Sequence, residues 1–398
     1  MTTAGPLVYD PYDYAVHEDP YPFYARLREE APVYHNDDVG FYALSRHVDV
    51  SAGLKDITRL SNADGVSLDP AASGAIARTT MSFLAMDPPD HGRLRGLVSR
   101  AFTFRRVTDL EPRIREITRA HLLPVLEDGS FDFVERVAGT VPMDVISELL
   151  GVPIADRAEL RRLADEVVHR EEGVRDVPPA AAEAALTLIQ YYDAMIRERE
   201  AALTGDLISG LIEANVDGER LTGRDIIAVV FLLVIAGNET TTKLLGNCWY
   251  WAGRHPDQKA KALGDRAMVE RWVEETLRYD GSTQMLARTA LEDITLHDTT
   301  MPKAARVILL LGAANRDPRV FPDPDRYDLD RDHRELVSFG AGRHFCMGAP
   351  LARMEARVVL EELVDRVADY DIDLSGVQRT HSINVRGLSA LPTKVVLR

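Results

Sequence analysis

The chain has 398 residues, of which 45% are hydrophobic, so it can bury a sizeable core without help from a partner. Its formal net charge of −16 argues against nucleic acid or an anionic membrane as the main partner, because both reward clustered lysine and arginine. Cys248 and Cys346 are the only cysteines. Two cysteines support neither a disulfide framework nor a four-cysteine metal site, and they favour a reducing compartment.

The N-terminal segment "MTTAGPLVYDPYDYAVHEDP" has acidic residues and prolines where a signal peptide or anchor needs a basic start and an apolar run. The longest apolar stretch, residues 226–237, is shorter than the ~20 residues that cross a bilayer. No repeat, low-complexity linker or Ser/Gly hinge divides the chain. We therefore expect a single domain over residues 1–398, cytoplasmic, monomeric and without a membrane anchor.

Helical periodicity dominates from about residue 21 to residue 278, as in "YPFYARLREEA", "HGRLRGLVSRAF" and "VTDLEPRIREITRAHLLPVLED". Short β-like runs follow, such as "RVILLLGAAN", and then an irregular passage rich in proline and aspartate. A glycine-rich loop precedes a last helix, predicted from Leu351 to about Val367 and entered through Pro350. The fold class is therefore mainly α with small β-sheets. Two segments, 61–87 and 169–179, are predicted to be a mobile lid and a flexible loop.

The segment from Thr222 is an unusual helix. Thr222 and Asp225 predict a capping box at its start, and the apolar pattern continues for roughly 30 residues, or ~45 Å. Its middle reads "AGNETTT", although a glycine there costs ~1 kcal/mol relative to alanine and a buried carboxylate needs partners. Two interpretations are open. Either the helix surfaces at this point, or the small residues open a groove for a ligand to which Glu239 and Thr240 supply protons.

The loop "FGAGRHFCMGAP", residues 339–350, presents Cys346 among glycines just before a helix begins. Backbone amides and a helix N-terminus both stabilise a thiolate. Three uses compete for this sulfur: a catalytic nucleophile, for which His344 is poorly placed as a base; a buried structural cysteine; and an axial thiolate to a haem iron. Only the third use requires a single cysteine together with nearby cations.

Five motifs resemble those of the cytochrome P450 family and occur in its order and approximate spacing. They are "HGRLR" at 91–95, "AGNETT" at 236–241, "EETLR" at 274–278, "PDRYDLDR" at 324–331 and "FGAGRHFCMG" at 339–348. The likeness extends over nearly the whole chain and is greatest to soluble bacterial members. It implies the family's fold, in which a long central helix crosses a haem and a cysteine loop precedes a C-terminal helix.

The resemblance implies a role for each matching residue. Cys346 becomes the metal ligand, an axial thiolate to haem b, and donates electron density that favours O–O cleavage. Thr240 and Glu239 become the catalytic pair that relays protons to bound O2. The cofactor-binding residues it implies are His91, Arg95, Ala236, Gly237, Arg288, Phe339, His344 and Gly348. Glu275, Arg278 and Arg326 become a structural triad away from the chemistry.

The resemblance also implies a haem-thiolate monooxygenase that hydroxylates a hydrophobic small molecule, such as a lipid, terpenoid or polyketide. Its partners are O2, a ferredoxin and a ferredoxin reductase. Five arginines and no acidic residue lie between His91 and Arg106, and with Arg343 and Arg353 they form either a ferredoxin-docking patch or separate solvated side chains. The expected substrate-pocket wall is uncharged: Val229, Leu232, Leu233, Thr283, Met285, Leu286 and Val385.

Two other functions stay open on the sequence. The same fold can serve peroxide-driven oxidation or oxidative coupling, and an intact Glu239/Thr240 relay speaks against peroxide dependence. A non-catalytic haem sensor or carrier is the alternative from another class. The chain also departs from the family's pattern: Asn238 replaces a histidine, and Ala304 and the pair His297–Asp298 replace glycines in turns.

Overall fold

The computed structural model describes residues 5–102, 104–216 and 218–398, with the side chains of residues 104–106 outside the description. Helices make up most of this part of the chain, and their order agrees with the helical periodicity of the sequence. The α-helices are α1 Tyr14–Glu18, α2 Tyr21–Glu30, α3 His47–Lys55, α4 Ala75–Met81, α5 Asp90–Ala101, α6 Phe104–Asp109, α7 Glu111–Asp128, α8 Thr140–Leu150, α9 Arg157–Val168, α10 Pro179–Ala201, α11 Leu207–Glu213, α12 Gly223–Arg254, α13 Pro256–Gly264, α14 Val269–Asp280, α15 Leu311–Ala314 and α16 Ala349–Val364.

The strands are short and form several small sheets. They are β1 Val33–Asn36, β2 Phe41–Leu44, β3 Leu60–Ser61, β4 Ser130–Asp132, β5 Asn215–Val216, β6 Glu219–Arg220, β7 Met285–Ala290, β8 Ile294–Leu296, β9 Thr299–Met301, β10 Arg306–Leu310, β11 Val367–Ile372, β12 Gln378–Arg379, β13 Leu388–Ala390 and β14 Pro392–Leu397. The largest sheet has the order β1-β2-β10-β7-β3, with β10 parallel to β2 and antiparallel to β7. A second sheet has the order β11-β14-β4. The prediction of a mainly α protein with small sheets is confirmed.

Helix α12 organises the fold. Its predicted capping box is present, since the Asp225 amide donates to Thr222 Oγ1 at 3.2 Å and the Thr222 amide donates to Asp225 Oδ2 at 2.9 Å. With 32 residues it is about 48 Å long, and it packs against α4, α8, α9, α10, α14 and α16. Within the described chain, α12 alone is long and apolar enough to cross a membrane, but more than half of its most apolar window is buried. It is therefore placed as a core helix.

Two hydrophobic clusters meet along α12. The C-terminal half of α12 contributes Trp249, whose ring stacks on Tyr370 at 3.6 Å and on Phe133 at 5.2 Å, centroid to centroid. The N-terminal half packs with α5, α8 and α10 in a second cluster, and Met347 of the cysteine loop lies at its margin. The loop and the apolar half of α12 are thus brought to the same region.

The segments predicted to be mobile are joined to each other. Residues 61–87 contain α4, which packs on α12, and the buried Asp69. Arg170, in the second segment, donates to Asp69 Oδ2 at 2.6 Å, and its backbone amide donates to the carbonyl of His381 at 2.8 Å. A buried ion pair therefore connects the two segments, and their mobility stays a prediction.

Candidate active site

The cysteine loop is pressed against α3. Gly342 has φ of +68°, and a Cβ at this position would lie 3.2 Å from Lys55 Cα and 3.3 Å from the Leu54 carbonyl oxygen. Any other residue would be strained both by this backbone conformation and by the contact. Further along, the Cys346 amide donates to the Phe339 carbonyl at 2.9 Å, which closes the loop. The position of the sulfur is thus set by backbone contacts.

Cys346 is reachable by solvent, yet protein atoms surround its sulfur closely enough that desolvation raises the pKa of the thiol. Hydrogen bonds from the backbone amides of Gly348 and Ala349, and the charges of Arg95 and Arg353, lower that pKa. These groups stabilise the thiolate form, which is the form that binds metals. Cys248 differs, because complete burial raises the pKa of its thiol to about 12.

Four nitrogen-bearing side chains meet beside this loop. The rings of His91 and His344 lie 4.1 Å apart, Arg95 donates to the Phe345 carbonyl at 2.6 Å, and buried Arg288 donates to the Ala287 carbonyl at 2.8 Å. Within the described residues, both ring nitrogens of His91 and Nδ1 of His344 are buried without a hydrogen-bond partner. Buried polar groups normally have partners, so this cluster is suited to bind a polar group from outside the chain.

The electrostatics of the cluster favour an anion. Burial, together with the neighbouring charges of Arg288 and Arg95 and the ring of His91, lowers the pKa of His344 to about 3. Burial likewise lowers the pKa of Arg288 to about 10. In the described part of the chain, none of the four side chains forms an ion pair with a carboxylate. A planar group carrying two carboxylates, such as the propionates of a haem, would satisfy these donors, so the residues fit that cofactor.

One face of α12 is accessible and contains most of the predicted ligand-facing positions. Leu232, Leu233 and Ala236 are exposed in part or fully, and Thr240 Oγ1 donates to the Ala236 carbonyl at 2.6 Å. Gly237 faces α8, because a Cβ at this position would lie 3.9 Å from the Ile146 side chain. The exposure of Ala236 and Thr240 fits both interpretations of "AGNETTT", and the ligand groove stays a prediction.

Glu239 does not lie on that face. Its side chain is 1% exposed, its Oε2 lies 3.3 Å from the Nζ of buried Lys243, and its Oε1 accepts from Asn238 Nδ2 at 3.3 Å. Consecutive helical residues point about 100° apart, which separates its carboxyl group from the Thr240 hydroxyl. The sequence treats the two as one pair, whereas the structure assigns them to different sides of α12.

A charged cleft of about 1080 Å³ lies on the Glu239 side. Its walls include Glu239, Thr242 and Lys243 from α12, Asp165 from α9 and His381 from the C-terminal segment. Sequence reasoning missed these neighbours of Glu239. The i, i+4 spacing of Glu239 and Lys243 was a usable signal, but nothing local in the sequence indicates Asp165.

Glu275 and Arg278 form a fully buried ion pair at 2.7 Å, so this pair is part of the core rather than a surface feature. The prediction that Arg326 completes the triad is wrong: its side chain is 62% exposed and lies 3.8 Å from Asp328. Only the Arg326 carbonyl takes part, by accepting from Arg278 at 3.1 Å. Two other side chains approach Glu275 in its place: His333 at 3.0 Å from Oε2 and Arg331 at 3.6 Å from Oε1.

The predicted pocket wall is only partly supported. Val229 and Met285 are 0% and 1% exposed and pack in hydrophobic clusters, so their assignment to the wall is wrong. The residues that keep accessible surface are Leu232, Leu233, Thr283, Leu286 and Val385. Thr283 and Val385 are joined by an isolated β-bridge, which brings two chain segments of the predicted wall together.

The predicted basic patch is partly neutralised. Arg353 makes two hydrogen bonds to Glu274, at 2.5 Å and 3.0 Å, and its guanidinium lies 4.4 Å from the Phe339 ring centroid. Arg93 lies 3.4 Å from Glu219. Arg343 is exposed, while the side chains of Arg105 and Arg106 lie outside the described residues.

Comparison with known proteins shows the family of the chain. The family model of cytochrome P450 matches residues 179–368. The chain is 55% identical over 393 residues to putative cytochrome P450 123 of Mycobacterium tuberculosis, covering 98% of each chain. It is 38% identical over 401 residues to vitamin D(3) 25-hydroxylase of Pseudonocardia autotrophica, again covering 98% of each. The structure of cytochrome P450 CYP109Q5 from Chondromyces apiculatus superposes with a TM-score of 0.88 at 36% identity, covering 98% of both chains.

The fold, the cysteine loop and these likenesses lead to one conclusion. A chain so similar to a relative along 98% of both lengths shares its family. The protein belongs to the cytochrome P450 family and is a haem-thiolate monooxygenase.

Proposed function

We propose that this monooxygenase hydroxylates a hydrophobic small molecule, using O2 and electrons from a ferredoxin that a ferredoxin reductase keeps reduced. The bound haem supplies the one-electron and dioxygen chemistry. Cys346 would hold the iron through its thiolate, while Arg95, Arg288 and the two neighbouring histidines, His91 and His344, would bind the propionates. The observation that carries the proposal is the convergence of an amide-stabilised thiol with buried, unpartnered nitrogen donors.

Thr240 holds a proton near the reacting oxygen. A hydroxyl group both donates and accepts, so Thr240 Oγ1 can pass on a proton while its contact to the Ala236 carbonyl orients it. Ala236, with the smallest side chain that still has a Cβ, leaves room beside this hydroxyl for O2. Glu239 provides the proton that restores Thr240 once its side chain has turned away from Lys243 and Asn238, which hold it in the described position.

The substrate is apolar. The accessible wall residues, among them Leu232, Leu233 and Leu286, carry no charge, so they exclude water and bind a molecule by buried area rather than by ion pairing. A relative is named as a vitamin D(3) hydroxylase, which supports a substrate of sterol or polyketide size. The wall orients the substrate, and closure of the segments joined by Asp69 and Arg170 keeps solvent out.

An acidic electron donor fits the exposed charge near the cysteine loop. Arg343 is exposed and Arg95 is partly exposed, in a protein whose net charge is −16. A local positive surface on an acidic protein steers a partner to this face. We also propose that the enzyme acts as a cytoplasmic, single-domain monomer, which light scattering of the purified protein checks directly.

The test of the proposed function is spectroscopic and catalytic. The reduced, haem-loaded enzyme with CO should show the red-shifted Soret band of thiolate ligation. The C346S variant should lose that band and C248S should keep it, because the Cys248 thiol is buried and stays protonated. NADPH-dependent hydroxylation with a surrogate ferredoxin, screened over apolar compounds that shift the spin state, completes the test. A normal red-shifted band in C346S would overturn the proposal.

A further inference from the structure

The N-terminal segment before α2 contacts both of the segments predicted to be mobile. The Tyr12 hydroxyl donates to Asp69 Oδ1 at 3.2 Å, and the Tyr14 hydroxyl donates to the Arg170 carbonyl at 3.0 Å. We propose that Tyr12 and Tyr14 are positioning residues that hold these two segments together, so that residues 9–18 act as a strap that sets how fast a ligand enters and leaves. This role rests on the proposed function, to which it adds a controlled entrance.

Both ends of the strap are fixed to the rest of the protein. At its start, the Asn36 side chain donates to the Tyr9 carbonyl at 2.9 Å. At its end, Arg386 donates to the Glu18 carbonyl at 3.1 Å and to the fully buried Asp280 of α14 at 2.7 Å. Hydrogen bonds to buried charged groups are strong, because little water competes for them. The strap is therefore a fixed point to which more mobile segments can be attached.

Tyr12 contributes to the hydrogen bonding of a buried carboxylate. Asp69 is fully buried and also accepts from the Arg170 guanidinium at 2.6 Å and from Ser67 Oγ at 2.7 Å. Burial and the neighbouring charge of Asp69 raise the pKa of Tyr12, so its hydroxyl group keeps its proton and donates at neutral pH. A buried carboxylate needs such donors to replace the water it has lost. Removing the Tyr12 hydroxyl therefore weakens this junction without removing either charge.

Tyr14 joins the second segment to the C-terminal segment. Its ring stacks on that of His381, with the centroids 3.6 Å apart and the planes within 2° of parallel. Its hydroxyl bonds the Arg170 carbonyl, while the Arg170 amide donates to the His381 carbonyl at 2.8 Å. Both backbone groups of Arg170 thus have partners from opposite ends of the chain. The next residues, 171–173, are exposed, so Arg170 is a point at which this segment is held.

The junction lies beside the predicted pocket wall. The Val66 carbonyl, three residues before Asp69, accepts from the Ala287 amide at 2.8 Å and from Asn384 Nδ2 at 3.3 Å. Ala287 directly follows the wall residue Leu286 in β7. A separation of the two segments at the junction would therefore open a path to the wall, and the strap opposes that separation.

The strap also makes an exposed ion pair, which holds the second segment less firmly. Arg175 lies 2.6 Å from Asp10, but its side chain is 50% exposed, so water and salt screen the pair. Tyr12 is only 5% exposed, which protects its bond to Asp69 from such screening. A hydrogen bond of ordinary strength changes an opening equilibrium by roughly two- to tenfold. The tyrosine hydroxyls are therefore the groups to test.

The rates of ligand entry and departure test the strap. Clotrimazole, a bulky azole, binds a haem iron through nitrogen and shifts the Soret band, so stopped-flow absorbance follows it in the haem-loaded enzyme. In Y12F and in Y14F its association and dissociation rates should both rise, by the same factor of roughly two to ten, because an entrance affects both directions equally. Its dissociation constant should therefore stay unchanged. A tyrosine that merely supports the fold would not keep that ratio constant.

Y279F is the matched control. The Tyr279 hydroxyl also donates to a backbone carbonyl, that of Asp325, at 3.2 Å. Its ring packs against Tyr327, at 5.2 Å between centroids, in one core cluster, whereas the strap packs in another. Y279F therefore loses a hydrogen bond of the same kind as Y14F does, and it should leave both clotrimazole rates unchanged.

Hydrogen–deuterium exchange gives a second measurement that needs no ligand. Peptides that cover residues 66–72 should exchange their backbone amides faster in Y12F, and peptides that cover residues 168–178 should do so in Y14F, because local opening exposes these amides. Y279F should exchange as wild type does. Each tyrosine contacts a different segment, so either variant tests the strap by itself.

Three results would overturn the inference. The first is unchanged clotrimazole rates and unchanged exchange in both Y12F and Y14F. The second is an equal acceleration in Y279F. The third is a changed dissociation constant, which would mean that the tyrosines shape the pocket rather than its entrance. A wild-type enzyme without the thiolate band would instead refute the proposed function and leave the exchange result standing.

Discussion

The Thr240 hydroxyl donates to the Ala236 carbonyl at 2.6 Å, one turn back along α12, and this contact keeps it on the accessible face of the helix. A threonine that bonds the carbonyl four residues earlier loosens the helical ladder locally. The apolar helix is therefore weakened at the point where the site needs a hydroxyl group. Glu239, the next residue back, points about 100° away from Thr240 around the helix axis.

Replacing Thr240 by alanine should separate electron use from product formation. The variant keeps its fold and its substrate-induced spin shift, but the product formed per NADPH should fall by roughly ten- to hundredfold, because a positioned proton donor contributes about 10² or more. The measurement is product against NADPH consumed. T240S keeps a hydroxyl group and should retain most of the coupling. Equal coupling in T240A and wild type would rule out the proton-holding role.

Replacing Arg278 should lower the free energy of unfolding more than any change at Arg326. R278A leaves the buried Glu275 carboxylate without its main partner, which should cost about 3–5 kcal/mol in the free energy of unfolding. R326A should stay within about 0.5 kcal/mol, because that side chain is exposed. Urea denaturation measures both. A large loss in R326A would restore Arg326 to the triad.

Low pH should destabilise the protein through the same Glu275 carboxyl group. Burial raises the pKa of Glu275, but hydrogen bonds from Arg278 and His333 outweigh it and hold the pKa below its ordinary value of 4.5. A carboxyl group whose pKa is lower in the folded protein than in the unfolded chain stabilises the fold at pH values above its unfolded pKa. That contribution is lost as the pH falls through its folded pKa. We therefore expect the stability of the protein to decrease below about pH 4.5, and to decrease less in E275Q. Thermal denaturation measured as a function of pH checks this expectation.

Replacing Ala304 by glycine should stabilise the protein. Ala304 has φ of +68°, a left-handed conformation that costs a residue with a Cβ roughly 1 kcal/mol. A304G relieves this cost, so the melting temperature should rise by roughly 1 °C in a chain of this length. The matched control is A305G, since Ala305 is not among the residues with positive φ and the change should give no gain there. A fall in the melting temperature of A304G would contradict the prediction.

The buried ion pair between Asp69 and Arg170 should slow ligand access. R170A removes the 2.6 Å contact between the two segments, so a lipophilic probe such as vitamin D3 should induce its spin shift several-fold faster in stopped-flow experiments. R175A breaks a more exposed contact, from Arg175 to Asp10, and should leave that rate unchanged. Identical rates in R170A and wild type would show that the pair does not limit access.

Local signals in the sequence were sufficient for some features. The capping box at Thr222 was predictable because Thr222 and Asp225 interact within one turn, and the cysteine loop because its glycines and the following helix start are contiguous. Pro350 lies in the first turn of α16, as predicted, although the helix begins at Ala349 and ends at Val364. Features that depend on neighbours in sequence could therefore be read from it.

Features that depend on packing between distant segments could not be read from the sequence. Asp165 and Glu239 line the same cleft only because α9 packs against α12, and no spacing along the chain encodes that arrangement. The approach of Arg331 and His333 to Glu275, instead of Arg326, depends on the path of an irregular segment in which side-chain direction follows no period. Val229 was placed on the pocket wall because the helix around it is apolar throughout, which hides the difference between a buried position and an open one.

The contact of Gly342 with the backbone of Leu54 and Lys55 has a consequence for biosynthesis. The cysteine loop is synthesised long after α3, the helix that it is held against. Such contacts between distant parts of a chain form late in folding, since the intervening loop must close first. We therefore expect nascent chains that end before residue 339 to incorporate no haem.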